Sequence, residues 1–323
     1  MKTVKLTLPD NSQRVLPAGS TGLDLAKDIS EGLARAAVAI QTDAGLIGLG
    51  DKFTGDTNVK ILTFRDAEGV EVFRHTSAHI LAQAVCELFP EAKPTIGPPV
   101  DEGFYYDFDH PPFSEDDIAG IEKKMKEIIK ADLPIQRIEY SKEEALKVFS
   151  DNPYKLELIR ELEDGTISAY QQGDFIDLCR GPHLPSTRRV KAVKVLKIAG
   201  CYWRGDAEKQ QLQRIYAISF PDKKQLKAHM KMLEEAKKRD HRRIGKDMDL
   251  FSFQEEGPGL PFWHHNGMLV RETIISYWRG LHFRDGYQEI STPVILDEGL
   301  WHKSGHRGHY QENMYFTALD ERR

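Results

Sequence analysis

At 323 residues with 40% hydrophobic side chains, the chain has material for two or three domains with ordinary cores. Its 45 Lys plus Arg against 50 Asp plus Glu give a net charge of -5, which excludes a uniformly basic nucleic-acid binder and confines any phosphate-binding surface to local patches. No apolar run reaches the length of a signal peptide or membrane span, and Cys86, Cys179 and Cys201 form no C-x-x-C pair, so a reducing, cytoplasmic location without a membrane partner is expected.

Residues 3–8 alternate with Val4, Leu6 and Leu8 on one face, "PDNSQ" turns, and "RVLP" returns as a second strand. A helix over about 22–30 and the strands "AAVAIQ", "GLIGLGD" and "NVKILTF" complete a small mixed β-grasp module. An α+β region follows to about residue 220, with strands such as "FYYDFD" and "GDFIDLC" and helices near 115–131 and 142–163. Residues 222–244 are charged, periodic and free of Pro and Gly, which predicts one long connecting helix. From about 249, a Gly/Pro-rich loop, a helix of about fifteen residues and a strand containing Pro293 open a third region. Too little chain follows to close a core around that helix and strand, so truncation inside a third domain is expected.

The chemistry concentrates in two pairs. His75 and His79 in "HTSAH" share one helix face at i and i+4, and Cys179 and His183 stand four apart in "DLCRGPH". One H-x-x-x-H is an ordinary coincidence among 12 histidines, and a second occurs at His302 and His306. The zinc-protease version needs Glu after the first His, where this chain has Thr76. The strand period of "DFIDLC" turns Asp177 and Cys179 to the same face, and the "RGP" turn brings His183 back beside them. A pocket of three imidazoles, a thiol and a carboxylate suits a zinc site, a His-activated Cys nucleophile, or a metal-free hydrolytic site, and the residues alone leave the three open.

Other stretches read more plainly. "GDKFTGDT" has phosphate-loop spacing without the lysine, and is expected to be a loop. Residues 186–197 hold five basic and no acidic side chains, and residues 226–246 hold eight basic against three acidic. Each alone is a solvated face; beside a hydrolytic pocket they suit phosphates. Cys86 and Cys201 read as packed small residues.

"HTSAH", "IGPPVDEGFYYDFD", "DLCRGPH", "YWRGD" and "KKRDHRRIGKDMDL", in that order, resemble the N-terminal half of the threonyl-tRNA synthetase family. The resemblance implies an α+β chain with a TGS-like β-grasp domain at 1–63, a tRNA editing domain at 64–225, a linker helix at 226–245 and the start of a class II antiparallel-sheet catalytic domain at 246–323. It further implies His75, His79, Cys179 and His183 as editing residues, joined by Asp177 and by Lys155 in "NPYKLELI". In alanyl relatives the equivalent four bind zinc, whereas the threonyl pocket is described as working without it. "RDGYQEISTPVIL" fits the first class II signature, with Pro293 at a homodimer interface. The implied partners are tRNA(Thr), threonine and serine; the implied cofactors are ATP with Mg, and zinc in a catalytic portion beyond residue 323.

The expected activity is therefore that of a threonine–tRNA ligase, with this segment hydrolysing seryl-tRNA(Thr) and not itself activating threonine. A free-standing trans-editing deacylase and a non-catalytic tRNA-binding module are the alternatives.

Overall fold

The computed structural model describes residues 2–163 and 165–315. The chain divides into two compact units, Met1–Glu234 and Glu235–Arg323.

The first unit opens with the expected hairpin, β1 (Thr3–Thr7) against β2 (Gln13–Pro17). Helix α1 (Gly22–Ile29) starts at a capping box in which Thr21 and Asp24 satisfy each other's backbone donors. A second short helix, α2 (Glu31–Ala36), was not legible in "EGLARA"; Ser30 both ends α1 and caps α2. Strands β3 (Ala37–Thr42), β4 (Gly45–Gly48) and β5 (Thr57–Thr63) complete a sheet of order β2-β1-β5-β3-β4, with only β1 and β5 parallel. Residues Ala37–Ile40 are all buried because β3 is covered on both faces. Ile40 faces a core with Leu6 and Leu25, while Val38, Ala39 and Leu62 join the core around the next helix.

That helix, α3 (Ala67–Leu88), is apolar nearly all round and is buried accordingly. Short strands β6 (Lys93–Pro94) and β7 (Pro99–Val100) flank β8 (Gly103–Asp109), whose alternate residues Phe104, Tyr106 and Phe108 point inward. Helix α4 (Glu115–Ala131) packs Ile121, Met125 and Ile128 onto α3 and the sheet. Strand β9 (Ile135–Tyr140) follows. The single helix expected over 142–163 is two, α5 (Lys142–Val148) and α6 (Pro153–Glu161). Pro153 fits a first turn but not a helix interior, and the Asn152 side chain accepts from the N–H groups of Tyr154 and Lys155, so a new helix starts there. Strands β10 (Ile167–Gln172) and β11 (Phe175–Leu178) join β9 in a three-stranded antiparallel sheet. The long hairpin β12 (Ala192–Tyr202) and β13 (Gln211–Phe220) extends the β8 sheet.

The one helix expected over 222–244 is also two, α7 (Lys223–Lys238) and α8 (His241–Asp247). Asp240 makes the break, its carboxylate accepting from Arg242 N–H at 2.9 Å. In the second unit, the expected loop holds a small hairpin, β14 (Phe251–Phe253) with β15 (Pro261–Trp263). Helix α9 (His265–Arg284) runs 20 residues. Pro293 lies in irregular chain rather than in the expected strand; a strand requires a ladder partner, and the described residues of this unit pair only β14 with β15. His302 and His306 fall on separate short helices, α10 (Gly299–Lys303) and α11 (His306–Tyr310), divided at Gly305. Among the described residues, no helix is long and apolar enough to cross a membrane.

Candidate functional site

Helix α3 presents His75 and His79 one turn apart, with ring centroids 5.2 Å from each other. The chain leaving β11 brings His183 onto both, at 4.4 Å from His75 and 4.2 Å from His79. Cys179 Sγ stands 3.2 Å from His75 Nε2 and 3.1 Å from His183 Nε2. The turn between them needs glycine at 181: φ is +70°, and a Cβ there would lie 2.0 Å from the Tyr170 hydroxyl oxygen. The Tyr170 ring in turn lies 4.4 Å from that of His183. Two sequence-distant pairs thus form one cluster, with the four ligand atoms all within 4.8 Å of one another.

A charged group adjoins it. Lys155, set on the first turn of α6 by the Asn152 cap, places Nζ 2.5 Å from Asp177 Oδ1. The Tyr106 hydroxyl donates to Asp177 Oδ2 and accepts from Lys155 Nζ at 3.2 Å. Lys155, Asp177 and Tyr106 are all at most 3% exposed, so the ammonium and carboxylate are held by mutual pairing out of water. His79 Nε2 lies 3.6 Å from Asp177 Oδ2, which ties the charged group to the imidazoles. The Tyr106 ring fits because residue 97 is glycine: a Cβ there would come within 2.1 Å of it.

Burial sets the protonation states. It lowers His75 to about 4 and takes His79 and His183 well below the ordinary imidazole value. The same cause pushes the Cys179 thiol up to about 12. The cluster is therefore three neutral bases and a protonated thiol, with Lys155 as the neighbouring cation. Burial also raises Cys86 to about 12, an inert thiol outside the four-residue group.

The donor set fits a metal ion by class: tetrahedral zinc with bonds of roughly 2.0–2.3 Å takes such nitrogens and sulfur. His75, His79, Cys179 and His183 would hold it, and a water would become acidic enough to attack at neutral pH only in a fifth position or in place of one of the four. Binding would require the Cys179 proton to leave, which burial opposes and the neighbouring Lys155 charge favours.

Sequence reasoning missed three members. Tyr106 was signalled by the alternation of "FYYDFD", which turns it inward beside Phe104 and Phe108. Thr76 and Tyr170 carried no signal of their own; only the folded contacts reveal them.

A cleft of about 870 Å³ lies apart from this cluster, between α2 and residues 184–191. Arg35, Arg65, Arg188 and Lys191 line it together with Phe64, Phe73 and Asp132, the last 3.7 Å from the Arg188 guanidinium. Arg189, which also lines it, donates to Ala34 O at 2.9 Å and Ala37 O at 3.1 Å, tying the stretch after His183 to the β-grasp module.

Comparison with known proteins shows what this chain is similar to. Residues 4–63 match the TGS domain family, and residues 167–216 match the threonyl and alanyl tRNA synthetase second additional domain. The threonine–tRNA ligase of Desulforamulus reducens is 52% identical over 98% of this chain and 51% of its own length. That of Natranaerobius thermophilus is 53% identical over 98% and 51%, and that of Caldanaerobacter subterraneus 52% identical over 99% and 50%. Along nearly its whole length the chain resembles threonine–tRNA ligases. It spans about half the length of the curated relatives it matches. In the threonine–tRNA ligase frame, Asp177, Cys179 and His183 fall inside the second additional domain as matched, whereas His75, His79 and Lys155 come from α3 and α6 outside it.

Proposed function

We propose that this chain carries the proofreading half of a threonine–tRNA ligase, hydrolysing the ester of serine mistakenly attached to the threonine tRNA. The observation that carries the reading is the convergence of His75, His79, Cys179 and His183 beside Lys155 and Asp177, in a chain carrying a second additional domain. Threonine differs from serine by one methyl group, worth only about 1–3 kcal/mol or 10–200-fold in a binding pocket, so a ligase for threonine needs a second, hydrolytic sieve.

In the proposed step, water held among the three imidazoles attacks the ester carbonyl carbon. One neutral ring nitrogen takes the water proton as the carbon–oxygen bond forms, and Lys155 stabilises the negative charge on the carbonyl oxygen. Collapse breaks the bond to the tRNA ribose oxygen, which receives the proton. Asp177 or Cys179 orients the amino acid. The cleft lined by Arg35, Arg65 and Lys191, with Arg188 shared with Asp132, suits tRNA phosphates, and four basic residues of 226–246 are paired with Glu235, Asp240 and Asp247.

For the whole ligase we propose ATP- and Mg-dependent joining of threonine to tRNA(Thr), zinc in the catalytic portion, and a homodimer through the Pro293 region. Ile290, Val294 and Ile295, each at least 79% exposed, support an interface there. The test of the editing reading is the combined His75→Ala, Cys179→Ala variant, whose seryl-tRNA hydrolysis should drop at least about 100-fold. A fully active variant would remove these residues from the reaction.

A further inference from the structure

We propose that Thr76 is a positioning residue that fixes His183 as the Nδ1–H tautomer, so that its bare Nε2 faces the cluster. Thr76 is fully buried on α3, between the two helical histidines. Its Oγ1 lies 2.9 Å from Val72 O, 3.0 Å from Leu184 N and 3.2 Å from His183 Nδ1. A hydroxyl has one proton and two lone pairs. The nearest acceptor is the Val72 carbonyl, four residues back on the helix, as it is for Ser77 with Phe73. The lone pairs are then left for two donors: the Leu184 N–H and a hydrogen on His183 Nδ1.

The other side of the ring agrees. His183 Nε2 is 3.1 Å from Cys179 Sγ, which also receives the Gly181 N–H at 3.2 Å. With Nδ1 carrying the hydrogen, the thiol proton can go to His183 Nε2 or to His75 Nε2, 3.2 Å from the same sulfur, and every donor in the chain from Val72 to Gly181 meets an acceptor without Thr76 leaving Val72 O. With the hydrogen on Nε2 instead, Thr76 would have to turn its proton from Val72 O to Nδ1. The assignment rests on these contacts alone. Its consequence, a basic nitrogen aimed at the reacting water or available to a metal, rests on the hydrolytic reading.

The hydrogen bond that Thr76 Oγ1 accepts from Leu184 N–H gives Thr76 a reach beyond the ring. It anchors the residue next to His183 to the helix that bears His75 and His79, so the two halves of the cluster are held at one hydroxyl oxygen. Valine keeps the shape of threonine and removes that oxygen; serine keeps the oxygen and removes the methyl.

The experiment uses the whole chain with ¹⁵N-labelled histidine, the His183 resonances assigned by their loss in His183→Gln. Long-range ¹H–¹⁵N correlation spectra distinguish a protonated ring nitrogen from a bare one. The expected result is Nδ1 protonated and Nε2 bare in the wild type, mixed tautomers in Thr76→Val, and the wild-type pattern in Thr76→Ser. Seryl-tRNA hydrolysis should fall about 10–100-fold in kcat for Thr76→Val, with KM little changed, and recover in Thr76→Ser. A wild-type ring protonated at Nε2, or a Thr76→Val variant that keeps the Nδ1–H form, overturns the proposal. Should Thr76→Val not fold, the wild-type spectrum still decides the assignment. A wild type with the expected tautomer and no ester hydrolysis would overturn the hydrolytic reading while the assignment stands.

Discussion

Helices α3 and α9 are alike in length, at 22 and 20 residues, and unlike in everything that follows from packing. Thirteen residues of α3 are buried, among them Thr76, His79 and Gln83. Only Gly267 of α9 is, and Leu269, Ile274, Tyr277 and Trp278 stand more than half exposed. The first helix is surrounded by α4, β8, β13 and the β-grasp sheet, and its imidazoles take their protonation from that cover. The second is less apolar overall but carries Leu269, Val270, Ile274, Tyr277 and Trp278, whose cover is not supplied by the described residues of its own unit. Periodicity announces a helix; whether the helix has a site depends on what surrounds it.

The largest test of this difference concerns a charge that burial makes expensive. Lys155→Met leaves the Asp177 carboxylate in the interior with the Tyr106 hydroxyl and the uncharged His79 ring as neighbours and no cation, which should cost about 3–5 kcal/mol, read from hydrogen exchange of the α3 amides. A loss under about 1 kcal/mol would mean that water reaches Asp177 and that the α3 region is not the dry site described.

Next comes the matched pair Leu81→Ala and Ile274→Ala. Leu81 is fully buried in the α3 core and should cost about 2–5 kcal/mol, while Ile274, 62% exposed on α9, should stay within about 0.5 kcal/mol. Equal losses in the isolated chain would show that the α9 face is covered in solution.

The test that changes conditions rather than a residue is a pH slope, measured with a chelator present. The unfolded chain binds protons on His75, His79 and His183 near pH 6.5, whereas folding holds all three below that value, His75 down to about 4. Stability present above pH 6.5 is therefore lost as pH falls toward 4, by up to about 1.4 kcal/mol per pH unit for each imidazole. Urea midpoints that do not move between pH 6.5 and 5 would contradict neutral buried rings.

The sequence carried the parts of the site that depend on local spacing. The i, i+4 histidines, the strand period joining Asp177 to Cys179 and the turn returning His183 are local facts, and the fold keeps them. It was silent where long-range contact decides. Nothing near Tyr106 indicates that a helix start some fifty residues onward will bring Lys155 to its hydroxyl. The break before Pro153 was legible in "DNPY", since an Asn-Pro step marks a turn; the break at Asp240 was hidden in a run without Gly or Pro. Pro293 needed a neighbouring strand to become one, and no local pattern supplies a neighbour.

The central claim is that the α3 cluster removes serine and spares threonine. The direct measurement is single-turnover hydrolysis of seryl and threonyl esters on the threonine tRNA by the intact chain, under identical conditions. The account predicts loss of the seryl ester at least about tenfold faster, the scale that one methyl group allows. Equal rates for the two esters, or hydrolysis of neither by a chain that binds the tRNA, would contradict it.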